Sequence, residues 1–256
     1  MGLDREDEPA REAAAIAEVA RLVASAGPAP RALPFFGMDH PSGTRLELLD
    51  ELAGRGIFRK YEHVLLPGAG LGAGARYLAV RLGCTATATS ATADEAQRAH
   101  LLTARAGLDW QVFHAGAAPD ALPFATAAFT HVWIVETLPR LGAVAHVLAE
   151  AARVLRPGGH FAVQDLVDHD GGELAERGHV TAREREGQLG AAGFVEIVGR
   201  DVTAQARDHR SDDAAAWQRL ARRFGGQHPL VRERNLIASA LEGGRLRVAQ
   251  FTARRP

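Results

Sequence analysis

The chain has 256 residues, 46% hydrophobic and 24% charged, which excludes collagen-like, extensively disordered and highly charged solenoid chains. The 30 Lys and Arg against 31 Asp and Glu leave a formal charge of −1, so no nucleic-acid partner is expected. The single cysteine, Cys84, excludes an internal disulfide framework and a multi-cysteine zinc site and reads as a small buried hydrophobe. No apolar run reaches the roughly 20 residues that span a bilayer. The acidic start, Met1-Gly-Leu-Asp-Arg-Glu-Asp-Glu, lacks a signal-peptide core. The expectation is a soluble cytoplasmic protein with no membrane partner.

In chain order, Ile16, Val19, Leu22 and Val23 predict an amphipathic helix over Pro9–Gly27, and Pro28–Pro34 an extended connector. Residues 1–34 are thus an N-terminal helix and linker, and 35–256 the main domain. A helix is expected over Thr44–Gly54. From Glu62 the pattern alternates. Strands are expected over Glu62–Leu66, Thr85–Thr89, Trp110–His114, Phe129–Val135, His160–Leu166 and Phe194–Val202. Helices are expected over Ala75–Leu82, Ala93–Ala106, Leu141–Leu155 and Thr181–Ala192. Arg156-Pro-Gly-Gly reads as a helix end. Two cap helices near Asp212–Phe224 and Val231–Leu241, within about 204–243, precede a last strand, Arg245–Thr252. Ser211 reads as the cap of the first. Alternating strands and helices predict an α/β fold around a parallel sheet.

Between the first strand and its helix, Gly68, Gly70 and Gly72 form a G-x-G-x-G loop that lets a ligand approach the backbone. With "VLLPGAGLGAGARYLAVRLGC", "LPFATAAFTHVWIVETLPRL", "AEAARVLRPGGHFAVQDLV", "LGAAGF" and the closing "VAQFTARRP", the chain resembles the class I S-adenosylmethionine-dependent methyltransferases, especially the small-molecule enzymes of bacterial secondary metabolism. The resemblance implies a Rossmann-like seven-stranded sheet, mostly parallel with an antiparallel last strand. It also implies S-adenosylmethionine (SAM) over the C-terminal strand ends. On the matching positions, Gly68, Gly70, Gly72, Ser90 and Ala117 would bind the cofactor. Trp133 and Arg140 would meet a small-molecule substrate, and Glu136, Asp165 and His169 would be the catalytic acid–base or orienting groups.

Several acids usual in the family are replaced. Leu66 and Pro67 stand at the end of the first strand and Ser90 at the ribose position, with Asp94 and Glu95 one turn too late. Ala117 or Ala118 stands on the adenine side, with Asp120 a substitute only if the loop is shifted. Thr130 replaces another Asp, and Arg140 the expected histidine base. A guanidinium stays protonated, so Arg140 is read as a salt-bridge partner of Glu136 or as an anion contact. Losing a carboxylate–diol contact would weaken donor binding by about two orders of magnitude. This predicts lost or weakened methyl transfer and a repurposed cyclase- or isomerase-type tailoring enzyme. The alternatives are a non-catalytic partner of a methyltransferase paralogue (or a homodimer) and a genuine methyltransferase with an unusual pocket. Asp165, Asp168, His169 and Asp170 match no metal spacing, so no metal is expected.

Overall fold

The computed structural model describes residues 40, 44, 46–54, 62–169, 177–208, 218, 221, 222, 225, 226 and 229–256. The helix expected over Pro9–Gly27, its connector and most of the Asp212–Phe224 helix lie outside these residues.

The elements, in order, are α1 (Leu48–Ala53), β1 (His63–Leu66), α2 (Ala73–Leu82), β2 (Thr85–Ser90), α3 (Ala93–Arg105), β3 (Val112–Gly116) and β4 (Phe129–Val135). A 3-10 turn (Leu138–Arg140), α4 (Val144–Val154), β5 (Leu155–Asp168), α5 (Ala182–Ala191), β6 (Val195–Asp201), α6 (Thr203–Asp208), α7 (Pro229–Glu242) and β7 (Leu246–Arg254) follow. The strands form one seven-stranded sheet in the order β3-β2-β1-β4-β5-β7-β6. Pairings among β1 to β5 are parallel, and β7 runs antiparallel to both β5 and β6. This is the expected Rossmann-like class I methyltransferase fold.

Strand alternation assigns each side chain to a layer. Leu65, Val132, Ile134, Phe161 and Val163 face one side and pack with Val147, Leu148 and Ala151 of α4 and Leu189 of α5. Val64, Leu66, Trp133 and Ala162 face the other, with Leu49 and Leu52 of α1 and Tyr77 and Leu78 of α2. A third cluster gathers Leu48, Leu166, Val202, Ala206 and Val248 with Ile237, Ala240 and Leu241 of α7. Cys84 is buried, and burial pushes its thiol up to about 12.

Some boundaries differ from the sequence reading, each for a local reason. The helix expected from Leu141 starts at Val144, because the Leu138–Arg140 turn, with a proline near its start, intervenes. Arg156-Pro-Gly-Gly lies within β5, drawn in by pairing with the chain's end. Gly158 N–H donates to Arg255 O at 2.8 Å, and Arg255 N–H to Gly159 O at 3.0 Å. Trp110 precedes β3 and is 72% exposed. A short helix, α6, that the sequence reading did not expect ends at Asp208; Thr203 N–H donates to Asp201 Oδ1 at 2.8 Å at its start.

Candidate functional site

The glycine loop leaves β1 at the C-terminal edge of the sheet, where open α/β sheets bind ligands. The end of β2 braces it. Gly68 N–H donates to Thr89 Oγ1 at 3.2 Å and Ala69 N–H to Thr89 O at 2.7 Å. The Ser90 hydroxyl donates to Gly70 O at 2.7 Å. Gly68, Gly70 and Gly72 take φ of 64°, 54° and 78°, the left-handed region that disfavours other residues. Gly68 and Gly70 each face one polar side chain, and Gly72 faces two, His114 and Arg76. A Cβ at Gly68 would lie 3.7 Å from Thr137 Oγ1, one at Gly70 3.6 Å from Glu95 Oε1, and one at Gly72 only 2.5 Å from His114 Cε1. Gly72 is therefore packed shut by the His114 ring, while Gly68 and Gly70 meet Thr137 and Glu95 at van der Waals distance.

The residues singled out from sequence separate into different environments. Ser90 is buried and its proton is committed to the loop, so it braces the cradle. Ala117 N–H extends the ladder to Ser90 O at 2.9 Å. Leu66 points into the core against α2, so nothing at that position can accept a hydrogen bond from the loop. Two expectations are corrected. Trp133 is wholly buried among Leu66, Tyr77 and Ala162, so it is a core residue and lines no substrate site. Asp165, wholly buried, faces α5, where its Oδ2 accepts from Arg185 Nε at 2.8 Å and lies in an ion pair 2.8 Å from Nη2. It is a structural ion-pair member, not a carboxylate facing the cleft. Burial pushes its carboxyl up, against the opposing pull of the Arg185 guanidinium.

Glu136 ends β4 with φ 55°, in a buried polar network. Its Oε1 accepts from the Thr44 hydroxyl and, at 2.7 Å, from Gln164 Nε2. Gln164 Nε2 also reaches Thr44 Oγ1 at 3.0 Å, and Gln164 Oε1 accepts from Gln250 Nε2 at 2.8 Å. Gln250 Nε2 also donates to Leu48 O at 2.8 Å, so the network ties Thr44 and Leu48 to β4, β5 and β7. Arg140 is exposed at the end of its turn. His169 is exposed beyond β5, 3.0 Å from Arg247 on the β7 side, strands away from the glycine loop.

Sequence reasoning missed two groups. The first is Glu95. It sits in the first turn of α3, with Oε2 accepting from Ala91 N–H at 3.1 Å and Oε1 toward Gly70. The count of lost acids therefore omitted one carboxylate that reaches the loop. Spacing along the chain hid it, because a long side chain at this point of a helix reaches back toward the strand end. The second is Thr137, nine-tenths buried, whose hydroxyl faces Gly68 and has no hydrogen-bond partner among the described residues. Among the described residues no group of three or more His, Cys, Asp or Glu side chains could hold a metal ion, and no helix is long and apolar enough to cross a membrane.

The methyltransferase-domain family model matches residues 65–163. The chain is 30% identical over 192 residues to the 27-O-demethylrifamycin SV methyltransferase of Amycolatopsis mediterranei, covering 70% of this chain and 68% of that one. The chain belongs to the methyltransferase family. It is also 30% identical over 146 residues to the glycine/sarcosine/dimethylglycine N-methyltransferase of Actinopolyspora halophila; that match covers 57% of this chain but spans only 26% of the relative's length. Among solved structures, the (4+2)-cyclase SpnF superposes with a TM-score of 0.71 at 22% identity, covering 94% and 93% of the two chains. A geranyl diphosphate C-methyltransferase from Streptomyces coelicolor superposes with a TM-score of 0.66 at 14% identity, covering 94% and 98%. These two likenesses are of fold. Within the methyltransferase family, the glycine cradle stands at the fold's ligand-binding edge, and the residues around it fit a donor molecule: a left-handed glycine turn with the buried Thr137 hydroxyl beside Gly68.

Proposed function

We propose that this protein is a SAM-dependent methyltransferase acting on a small molecule of the natural-product type. The observation that carries the reading is the Thr137 hydroxyl, buried and without a partner among the described residues, facing Gly68. A buried hydroxyl left unpaired costs about 1–3 kcal/mol, and a donor molecule seated over the loop would supply the missing partner. The rifamycin-type relative supports the substrate class.

SAM, when bound, supplies an electrophilic methyl group on a sulfonium. The protein's own residues do the rest. The Gly68 and Gly70 backbone lets the donor approach, and Thr137 offers it a hydrogen bond. Thr89 and Ser90 hold the loop in shape, and the Glu136–Gln164–Gln250 network fixes Thr44 and Leu48 against the sheet. Arg140 cannot take a proton from an acceptor.

The test is incubation with methyl-labelled SAM and a panel of phenols, alcohols and amines. Label transfer with an equal yield of S-adenosylhomocysteine supports the reading. A second reading, cyclase- or isomerase-type chemistry without methyl transfer, draws on Leu66 and Arg140 standing where the family carries an acid and a base. Substrate turnover unaffected by removing SAM would favour it.

A further inference from the structure

We infer that His179, held at the C-terminal end of β5 beside the cradle, is the general base that takes the proton of a hydroxyl acceptor. The inference rests on the methyl-transfer reading above and names the class of acceptor for that site. His179 belongs to the segment Gly178–Val180 between β5 and α5. Val180 O accepts from Asp168 N–H at 3.0 Å, so the segment runs along the end of β5, beyond the last paired residue of β4, Val135 opposite Gln164. Gly178 backs onto the turn after β4: its φ is 82°, and a Cβ there would collide with Pro139 O. The same turn touches the glycine loop, where a Cβ at Gly68 would meet Thr137 Oγ1 at 3.7 Å and Leu141 Cδ2 at 3.8 Å. One turn therefore separates Gly68 from Gly178, and His179 follows directly.

The ring is oriented. Its Nδ1 lies 2.8 Å from Leu166 O. A carbonyl oxygen only accepts, so Nδ1 carries the proton and Nε2 the lone pair. Nε2 has no hydrogen-bond partner among the described residues, yet it is not enclosed as Thr137 Oγ1 is; it lies on the edge of a ring that keeps 9% of its surface exposed. The Asp165 carboxylate, shared with Arg185, lies within electrostatic reach and favours the imidazolium. The step balances with acceptor and donor alone. The acceptor O–H proton moves to Nε2, an oxygen electron pair forms the bond to the methyl carbon, and the pair of the breaking C–S bond stays on sulfur. A methyl ether, S-adenosylhomocysteine and a protonated His179 result, and the ring then releases its proton to water.

Initial rates of label transfer from methyl-labelled SAM to two probe phenols test the assignment. In mildly alkaline buffer 4-methylphenol keeps its proton, whereas 4-nitrophenol is already ionised and needs no base. The variants are His179→Asn, which keeps an N–H for Leu166 O but offers no base, and His179→Gln. Calorimetric titration with S-adenosylhomocysteine counts the folded sites in each, and rates are expressed per site. In His179→Asn, kcat/KM on 4-methylphenol is expected to fall about 100-fold, and on 4-nitrophenol by less than about tenfold, with donor affinity retained. Equal losses on the two phenols in both variants, or no loss on 4-methylphenol, overturn the role of His179 while leaving methyl transfer standing. A wild type that binds S-adenosylhomocysteine yet methylates neither phenol overturns the hydroxyl-acceptor assignment. A wild type that binds no S-adenosylhomocysteine overturns the donor site and this inference with it.

Discussion

Gly72 is constrained twice, by its φ of 78° and by the His114 ring that a Cβ would strike at 2.5 Å. Gly72→Ala is therefore expected to lose about 2–4 kcal/mol, measured by urea denaturation. Adding His114→Ala should return only the steric part. Histidine burial sets a pH dependence. His131 is wholly enclosed, stacks on His160 at 5.2 Å, and has its pKa lowered to about 3 by burial and by His160. Between about 3 and 6.5 the unfolded chain binds this proton and the native protein does not. Stability is therefore intact above pH 6.5 and falls as the pH drops. The His131 share at pH 5 is about 2 kcal/mol. Denaturation midpoints between pH 7.5 and 5 should show this slope, and His131→Phe, which keeps a flat ring against His160, should reduce it. At this scale the sequence was only partly legible. The G-x-G-x-G loop and its place over the strand ends could be read from residue types. The environments of Asp165 and Trp133 could not be read from strand-end position alone, although alternation with Val163 and with Leu66 puts both on helix-covered faces. Glu95 was passed over because distance along the chain was taken for distance in space.

Helix starts and one ion pair hold the second half of the sheet in place. The Thr181 side chain accepts from Glu184 N–H at 3.2 Å while Glu184 Oε2 accepts from Thr181 N–H at 2.8 Å, a reciprocal cap on α5. Thr181→Ala should cost about 1 kcal/mol in chemical denaturation. Arg185, one turn on, is buried with Asp165. Arg185→Met strands a buried carboxylate and should cost about 3–5 kcal/mol, whereas the double variant Asp165→Leu/Arg185→Met should recover most of it. The elements whose signal is local were legible: β4 over Phe129–Val135 follows its sequence pattern to both ends. β5 was not legible at its start, because Arg156-Pro-Gly-Gly looks like a helix stop and only the distant Arg255 pulls it into the sheet.

At the scale of the whole molecule, the buried chain of Thr44, Glu136, Gln164, Gln250 and the Leu48 carbonyl joins the segment before α1 to three strands that sequence separates widely. Gln164→Leu removes the central link and leaves its neighbours buried without their donor and acceptor, at an expected cost of about 2–4 kcal/mol in thermal or urea unfolding. No single-residue pattern announces such a network, since Gln164 and Gln250 read as ordinary strand positions. The fold that it supports presents the glycine cradle, whose proposed ligand is a methyl donor. Equilibrium dialysis of the wild-type protein against labelled SAM measures this directly. Saturable uptake approaching one molecule per chain, with a dissociation constant of about micromolar order, is the predicted result. Uptake that stays linear with concentration, with no saturation, would contradict it.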